Sequence, residues 1–134
     1  MAMSPDPQPA WSAETITRLN ALLAVEPDDD VGLEDWPAAM AAPLLIEPAL
    51  SAYDRPDARD DERVLIVELL LNVFEFCSVE REGNPDWRRT LDRIERNLDL
   101  HRSTVRRWAD PEDGDPWIIS RALGGVLRRH SVRG

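Results

Sequence analysis

The stretch Val64-Leu-Ile-Val-Glu-Leu-Leu-Leu-Asn-Val-Phe-Glu-Phe-Cys77 constrains the fold more than any other part of the chain. Its polar residues Glu68, Asn72 and Glu75 are spaced four and then three residues apart, so a helix gathers them into one narrow stripe. A helix that is apolar around the rest of its circumference must be surrounded by other helices. We therefore predict a central helix at about residues 62–77, whose polar stripe reaches the surface. The charges also interrupt the run well short of the roughly 20 apolar residues that span a bilayer.

Amphipathic patterns on both sides of this helix predict an all-α fold. Residues 12–25 begin with a serine N-cap and place four apolar side chains on one face. The four prolines between Trp36 and Pro56 favour short helical turns, which direct six apolar residues to the core: Met40, Leu44, Leu45, Ile46, Leu50 and Tyr53. Later helices are predicted from Pro85, over 102–108, and from Pro116. The expected architecture is a single-domain helical bundle of five or six helices around the central helix.

The length of 134 residues suits one domain, because a chain of this size buries roughly two-thirds of its unfolded surface. Residues 1–10 contain prolines and an acid but no basic segment followed by an apolar core, so we predict a disordered tail and no signal peptide. The helical domain is expected over 11–134. A single cysteine excludes an intramolecular disulfide, and nothing points to secretion, so a cytoplasmic location is expected.

The net charge of −10 is divided unevenly along the chain. Residues 1–80 contain 17 acids and four arginines, a charge of −13, whereas residues 81–134 contain 12 arginines and nine acids, a charge of +3. The domain thus has an acidic N-terminal half, 11–80, and an arginine-rich C-terminal half, 81–134. The field of the whole protein repels nucleic acid and attracts basic partners. All 16 basic residues are arginine, which excludes chemistry that depends on lysine.

The residues that catalysis requires are scarce, and we predict a protein that is not an enzyme and needs no cofactor. His101 and His130 have no cysteine or serine at a spacing that suggests an activated nucleophile. With Cys77 alone they cannot assemble a zinc site. The acidic loop that starts at Asp28 lacks the glycine and glutamate that an EF-hand needs at its sixth and twelfth positions, so calcium is not expected there either.

The segment Glu26-Pro-Asp-Asp-Asp-Val-Gly-Leu-Glu-Asp35 carries six acids and no basic residue. Trp36 follows it, and two interpretations of this tryptophan are open. It is either an aromatic anchor for a partner, ringed by charge, or a lid that folds back on the core. Under the first interpretation the predicted partner-binding residues are Asp28, Asp29, Asp30, Glu34, Asp35 and Trp36.

Residues 91–108, Leu-Asp-Arg-Ile-Glu-Arg-Asn-Leu-Asp-Leu-His-Arg-Ser-Thr-Val-Arg-Arg-Trp, resemble a helix-turn-helix DNA-binding motif. That motif has apolar residues at its fourth, eighth, tenth, fifteenth and eighteenth positions, which here are Ile94, Leu98, Leu100, Val105 and Trp108. The resemblance implies a recognition helix over 102–108. It also implies contacts to base edges and phosphates from six residues: His101, Arg102, Ser103, Thr104, Arg106 and Arg107.

The segment departs from the motif at two positions. Glu95 stands where an alanine normally lets the two helices touch, and Asp99 stands at the turn position that is normally glycine. Any two amphipathic helices joined by a short turn in a bundle would produce the same apolar spacing. Core packing is therefore an alternative explanation of the pattern.

Two functions of different classes follow from the sequence. The first is a non-catalytic protein-binding module, immunity- or antitoxin-like, whose acidic N-terminal half docks a partner with a basic surface. The second is a DNA-binding transcriptional regulator that uses residues 91–108, with the acidic half as a dimerisation or effector region and a homodimer as an expected form. Glu95 and the overall charge favour the first.

Overall fold

The computed structural model describes residues 11–26, 30–33, 35–77, 79–110 and 118–131. These residues form seven α-helices and no strand, which confirms the predicted all-α bundle with a helix count close to the expected five or six. The predicted tail, 1–10, and the predicted start of the last helix at Pro116 lie outside the described residues. The helices are α1 (Ala13–Leu23), α2 (Trp36–Ala39), α3 (Ile46–Tyr53), α4 (Asp60–Phe76), α5 (Pro85–Arg96), α6 (Leu98–Ala109) and α7 (Ser120–Ser131).

Helix α4 is the predicted central helix, and every residue from 64 to 74 is buried. Its first turn consists of three acids, which complement the positive end of the helix dipole. Helices α1, α2, α3, α5 and α6 all contact it. The expectation that the polar stripe reaches the surface is wrong for Glu68 and Asn72, which are 5% and 6% exposed. Neighbouring helices cover this side of α4 as well.

Helices α6 and α7 form an antiparallel pair beside α4. His101 in the first turns of α6 contacts Tyr53, and Trp108 at its other end lies 6.3 Å from Phe76 between ring centroids. The chain then returns, because α7 begins beside Glu75 and Arg129 near its end pairs with Glu95 of α5. The C-terminal half thus packs along the whole length of the central helix.

The predicted short helical turns are present between Trp36 and Tyr53 as α2, a 3₁₀ turn at Pro43–Leu45, and α3. Leu45 and Ile46 are buried as expected, but Leu44 is 76% exposed. The prediction that Leu44 points to the core is therefore wrong. Three consecutive apolar residues on a helical turn cannot all face one side, and its two successors take the inward positions.

We expect Leu69→Ala, in the middle of α4, to lower the free energy of unfolding by about 2–5 kcal/mol, because Leu69 is fully buried and its loss leaves a cavity. The same change at the exposed Leu44 serves as the matched control and is expected to stay within about 0.5 kcal/mol. Urea unfolding followed by circular dichroism measures both. Equal effects at the two positions would contradict the placement of α4 at the centre.

Candidate functional site

The acidic segment 26–35 connects α1 to α2. Of its predicted partner-binding residues, Asp28, Asp29 and Glu34 lie outside the described residues. Asp30 and Asp35 are exposed. Asp35 stands at the N-cap of α2 without a side-chain capping hydrogen bond, so its carboxylate is not used to complete the helix. The structure therefore leaves these two carboxylates at the surface, where a partner can reach them.

Trp36 is not a surface anchor. Only 4% of the residue is exposed, and its Nε1 donates a 3.1 Å hydrogen bond to Asn20 Oδ1 of α1. The first of the two interpretations is wrong, and the second, a tryptophan that folds back on the core, holds. The physical reason is that α2 packs directly against α4 and that Asn20 satisfies the one polar atom of the indole.

A second indole holds the acidic segment closer to its middle. Trp11 is 9% exposed, and its Nε1 donates a 2.8 Å hydrogen bond to the backbone carbonyl of Leu33. Val31 is partly buried against the core. With Trp36 at its end, the segment is tied to the bundle at three described points. Asp30 and Asp35, the exposed acids among its described residues, are therefore presented close to these points of attachment.

Further carboxylates lie where α1 and α4 begin. Thr15 Oγ1 donates a 2.7 Å hydrogen bond to Asp61 Oδ2, and the 1% exposed Glu62 accepts from Arg18 Nε at 2.5 Å. Glu62 also accepts from the backbone N–H of Arg59 at 2.9 Å, which completes the N-terminal cap of α4. These bonds fix the relative position of the two helices. Glu14 and Asp60 remain exposed beside them.

The four arginines of the acidic half are all engaged within that half. Arg18, Arg55 and Arg59 pair with acids of the same region, and Arg63 donates to the backbone carbonyls of Tyr53 and Arg55. Three further acids of this half, Glu47, Asp54 and Glu68, pair with arginines of the C-terminal half. Because the 17 acids outnumber all of these arginines, a surplus of negative charge still stays on the N-terminal half.

The helix-turn-helix prediction fails in its geometry. Asn97 alone separates α5 from α6, and α6 begins at Leu98, four residues before the predicted recognition helix. The predicted turn residue, Asp99, therefore lies in the first turn of α6. Glu95 is not buried between the two helices, since it pairs with Arg129 of α7 at 2.6 Å.

Two of the six predicted DNA-contacting residues are inaccessible. His101 is 0% exposed and Thr104 is 5% exposed, so the prediction that they face base edges is wrong. Both lie on the side of α6 that packs inward. The other four remain at the surface to different degrees: Ser103, Arg106 and Arg107 are exposed, and Arg102 is partly buried. Arg102 lies 3.5 Å from Asp99, and Arg107 pairs with Glu68.

The apolar spacing that produced the resemblance belongs to the core. Ile94, Leu98, Val105 and Trp108 are buried in the bundle, and Leu100 packs partly against it. This is the alternative explanation of the pattern given by the sequence.

A polar cluster, the Tyr53 cluster, joins α3 to the start of α6. It consists of Tyr53, Asn97 and His101, of which Tyr53 and His101 are buried and Asn97 is exposed. The Tyr53 hydroxyl lies 2.6 Å from His101 Nε2, accepts from Asn97 Nδ2 at 2.9 Å, and donates to the backbone carbonyl of Arg93 at 3.4 Å. Since this hydroxyl has one proton and two lone pairs, the geometry assigns the His101 proton to Nε2. A bare lone pair is then left on Nδ1, which is buried and has no partner among the described residues.

Burial sets the protonation of this cluster. Burial is the main reason that the pKa of His101 falls to about 4; the nearby guanidinium of Arg63 acts in the same direction, and the carboxylate of Asp60 opposes both. The same burial raises the pKa of Tyr53 above its ordinary value. Both side chains are therefore neutral at physiological pH. Sequence reasoning missed this cluster because Tyr53 is 44 residues from Asn97 and 48 residues from His101 in the chain.

The polar stripe of α4 forms a second set of contacts that the sequence analysis missed. Glu68 pairs with Arg107 and accepts from Trp108 Nε1 at 3.4 Å. Asn72 Nδ2 donates to the backbone carbonyl of Glu68 at 2.8 Å. Glu75 accepts from two backbone N–H groups just before α7, those of Ile118 at 3.1 Å and Ile119 at 3.0 Å. The polar stripe of α4 thus supplies the ion pair and hydrogen bonds that hold α6 and the start of α7 against the central helix.

The part of the chain that the structure describes contains no group of three or more histidine, cysteine, aspartate or glutamate residues that could hold a metal ion. In the same residues, no helix has the length and apolar character needed to cross a membrane. The single cysteine, Cys77, is partly buried, and its thiol donates to the backbone carbonyl of Ala41 at 3.5 Å.

No known protein family, curated protein or solved structure matches this chain. The geometry described above is therefore the ground on which a function can be argued.

We expect His101→Gln to remove a pH dependence of stability between about pH 6.5 and pH 4. The unfolded chain binds a proton at His101 near pH 6.5, whereas the folded protein binds it only near pH 4. Stability therefore falls as the pH drops through this window, by up to about 3 kcal/mol. Glutamine can still donate to the Tyr53 hydroxyl. Urea unfolding at a series of pH values measures the difference.

The matched control is His130→Gln at the surface end of α7, which should retain the pH dependence of the original protein. If the His101 variant and the original protein lose stability in parallel as the pH falls, the buried neutral histidine is not the source of the effect.

Proposed function

We propose that this protein is a non-catalytic protein-binding module, immunity- or antitoxin-like, that docks a partner with a basic surface through its acidic N-terminal half. The single observation that carries the proposal is the anchored acidic segment 26–35. It holds six acids and no basic residue, and the buried indoles of Trp11 and Trp36 tie it to the bundle. Proteins that neutralise a toxin or a nuclease use this kind of charge complementarity. A cytoplasmic location belongs to the same proposal.

Anchoring matters because binding costs free energy when flexible groups must be ordered. A segment already tied to the core through Leu33, Val31 and Trp36 loses less conformational freedom on binding than a free loop. The acids that it presents need only meet opposite charges on the partner. Pre-organisation thus lets a short segment contribute to affinity.

The surplus of negative charge also attracts a basic partner before the two proteins touch. The arginines of this half are already engaged by neighbouring acids and carbonyls, so they do not cancel the field of the remaining carboxylates. A field of one sign steers an oppositely charged partner and raises the association rate, an effect that salt screens. Leu33, 39% exposed within the same segment, offers an apolar contact among the charges.

The geometry gives the DNA-binding alternative little support. Of the predicted contact residues, His101 and Thr104 are buried and Arg107 is paired with Glu68. Helix α6 packs against both α4 and α7, so only part of its surface is exposed. Binding of the purified protein to duplex DNA is measured beside the experiment that follows, and we expect none.

The experiment compares three immobilised baits in lysate of the cell that produces the protein: the original chain, the triple variant Asp28→Asn, Asp29→Asn, Asp30→Asn, and a charge-matched control. The control is Asp92→Asn, Asp99→Asn, Asp110→Asn in the C-terminal half, which changes the net charge by the same amount. We expect a basic protein that the first and third baits capture and the second does not. Once it is purified, its association rate with the acidic-segment variant should be lower and less sensitive to salt.

Equal capture by all three baits would overturn the assignment of the surface. Capture of duplex DNA that Arg102→Ala and Arg106→Ala abolish would instead establish the DNA-binding alternative.

A further inference from the structure

A surface cavity of about 220 Å³ opens above the Tyr53 cluster. It lies where α3 ends, α4 begins and α5 passes into α6. Six residues line it: Tyr53, Asp54, Arg63, Arg93, Arg96 and Asn97. Three of the six are arginines and one is an acid. The lining therefore carries an excess of cations in a protein whose net charge is −10.

The one acid of the cavity does not oppose an anion, because it is already neutralised. Asp54 accepts from Arg93 Nε at 3.0 Å and from Arg93 Nη2 through its second oxygen, a bidentate pair. Arg93 also donates from Nη1 to the backbone carbonyl of Arg89 at 2.9 Å. The carboxylate of Asp54 neutralises the guanidinium of Arg93, and the two side chains form one wall of the cavity. The positive charge that remains comes from Arg63, and Arg96 adds a second guanidinium, which shares its charge with Asp92.

Arg63 is held in place by contacts that leave part of its guanidinium for a ligand. Nε donates to the carbonyl of Tyr53 at 3.1 Å and Nη2 donates to the carbonyl of Arg55 at 3.2 Å. The guanidinium carbon lies 5.5 Å from the centre of the Tyr53 ring, where the face of the ring favours a cation. Its Nη1 donors have no partner among the described residues. The charge is therefore fixed in position before a ligand arrives.

Arg96 and Asn97 supply further donors from the opposite side. Arg96 pairs through Nη2 with Asp92, one turn earlier on α5, in an exposed contact of the kind that contributes little to stability. Asn97 donates one of its two amide hydrogens to the Tyr53 hydroxyl and retains the other. The cavity thus combines two guanidinium groups and an amide, without an uncompensated carboxylate.

We propose that this cavity binds a tetrahedral oxyanion, either free phosphate or the phosphate group of a phosphomonoester, between Arg63 and Arg96. A guanidinium group donates two parallel N–H bonds to two oxygens of one phosphate group. A chloride ion is a single atom and cannot accept such a pair of bonds at two separate oxygens. The volume accommodates one phosphate group with attached water. The site is separate from the acidic segment 26–35, so it stands or falls independently of the partner-binding proposal.

The test is a titration of the ¹⁵N-labelled protein with inorganic phosphate, at an ionic strength held constant with chloride. We expect saturable shifts of the Arg63 Nε–H and Asn97 Nδ2 signals. Arg96→Gln should weaken binding about tenfold or more, because it removes a charged donor while leaving the exposed surface of α5 intact. Asp92→Asn should tighten binding about twofold, because it releases Arg96 from its surface pair.

Arg121→Gln, which removes an exposed arginine of α7 away from the cavity, is the charge-matched control and should leave the affinity unchanged. Equal weakening by this variant and by Arg96→Gln would mean general attraction to positive charge and would overturn the proposal. Absence of saturable shifts at the two side chains in the well-dispersed spectrum of the original protein would overturn it as well.

The source of the anion is resolved by repeating the titration with O-phosphoserine. Binding tighter than that of inorganic phosphate supports a phosphomonoester as the ligand, with additional contacts to the cavity wall. Equal or weaker binding supports the free anion.

Discussion

The structure depends on the burial of the middle of α4 on all sides. Eleven consecutive residues, 64–74, are removed from solvent, and one of them is a glutamate. An ionised carboxylate in such a place is tolerated only if cations and hydrogen-bond donors meet it there. Glu68 finds Arg107 and Trp108, both from the last turns of α6. The position of α6 on the bundle is thus tied to one polar residue of the central helix, in addition to the apolar surface that surrounds it.

Periodicity was sufficient to predict the parts of the fold that depend on local pattern. The central helix, the short turns between prolines and the capped starts of α1 and α5 follow from residues within one or two turns of each other. Spacing was not sufficient where burial depends on a partner far away in the chain: it left Trp36 between two interpretations and placed His101 at the surface. The indole N–H of the buried Trp36 is satisfied by Asn20, and the buried imidazole of His101 contacts the Tyr53 hydroxyl. Neither partner can be recognised from spacing.

The helix-turn-helix resemblance is a second case in which local spacing is not sufficient. The apolar spacing of residues 94–108 is shared by DNA-binding motifs and by any pair of packed helices, so the pattern predicts burial and does not by itself indicate a function. The two residues that depart from the motif, Glu95 and Asp99, were the better indicators of how α5 and α6 are arranged. Glu95 faces α7, and Asp99 lies inside a helix where the motif requires a turn. For the candidate surface, composition identified the acidic segment, but only the structure shows what holds it.

The contacts of the α4 stripe also determine how the molecule comes apart. Glu68 and Glu75, on the acidic half, are satisfied by residues 40 or more positions later, in α6 and at the start of α7. If α6 detached, the buried Glu68 would lose its donors inside the core, and if α7 detached, the partly buried Glu75 would lose both of its backbone donors. Detachment of either helix therefore costs more free energy than a small local opening. The two halves of opposite charge therefore form one cooperative unit. Their slowest-exchanging amide hydrogens should be released in the same global opening, although the charge of the chain divides it in two.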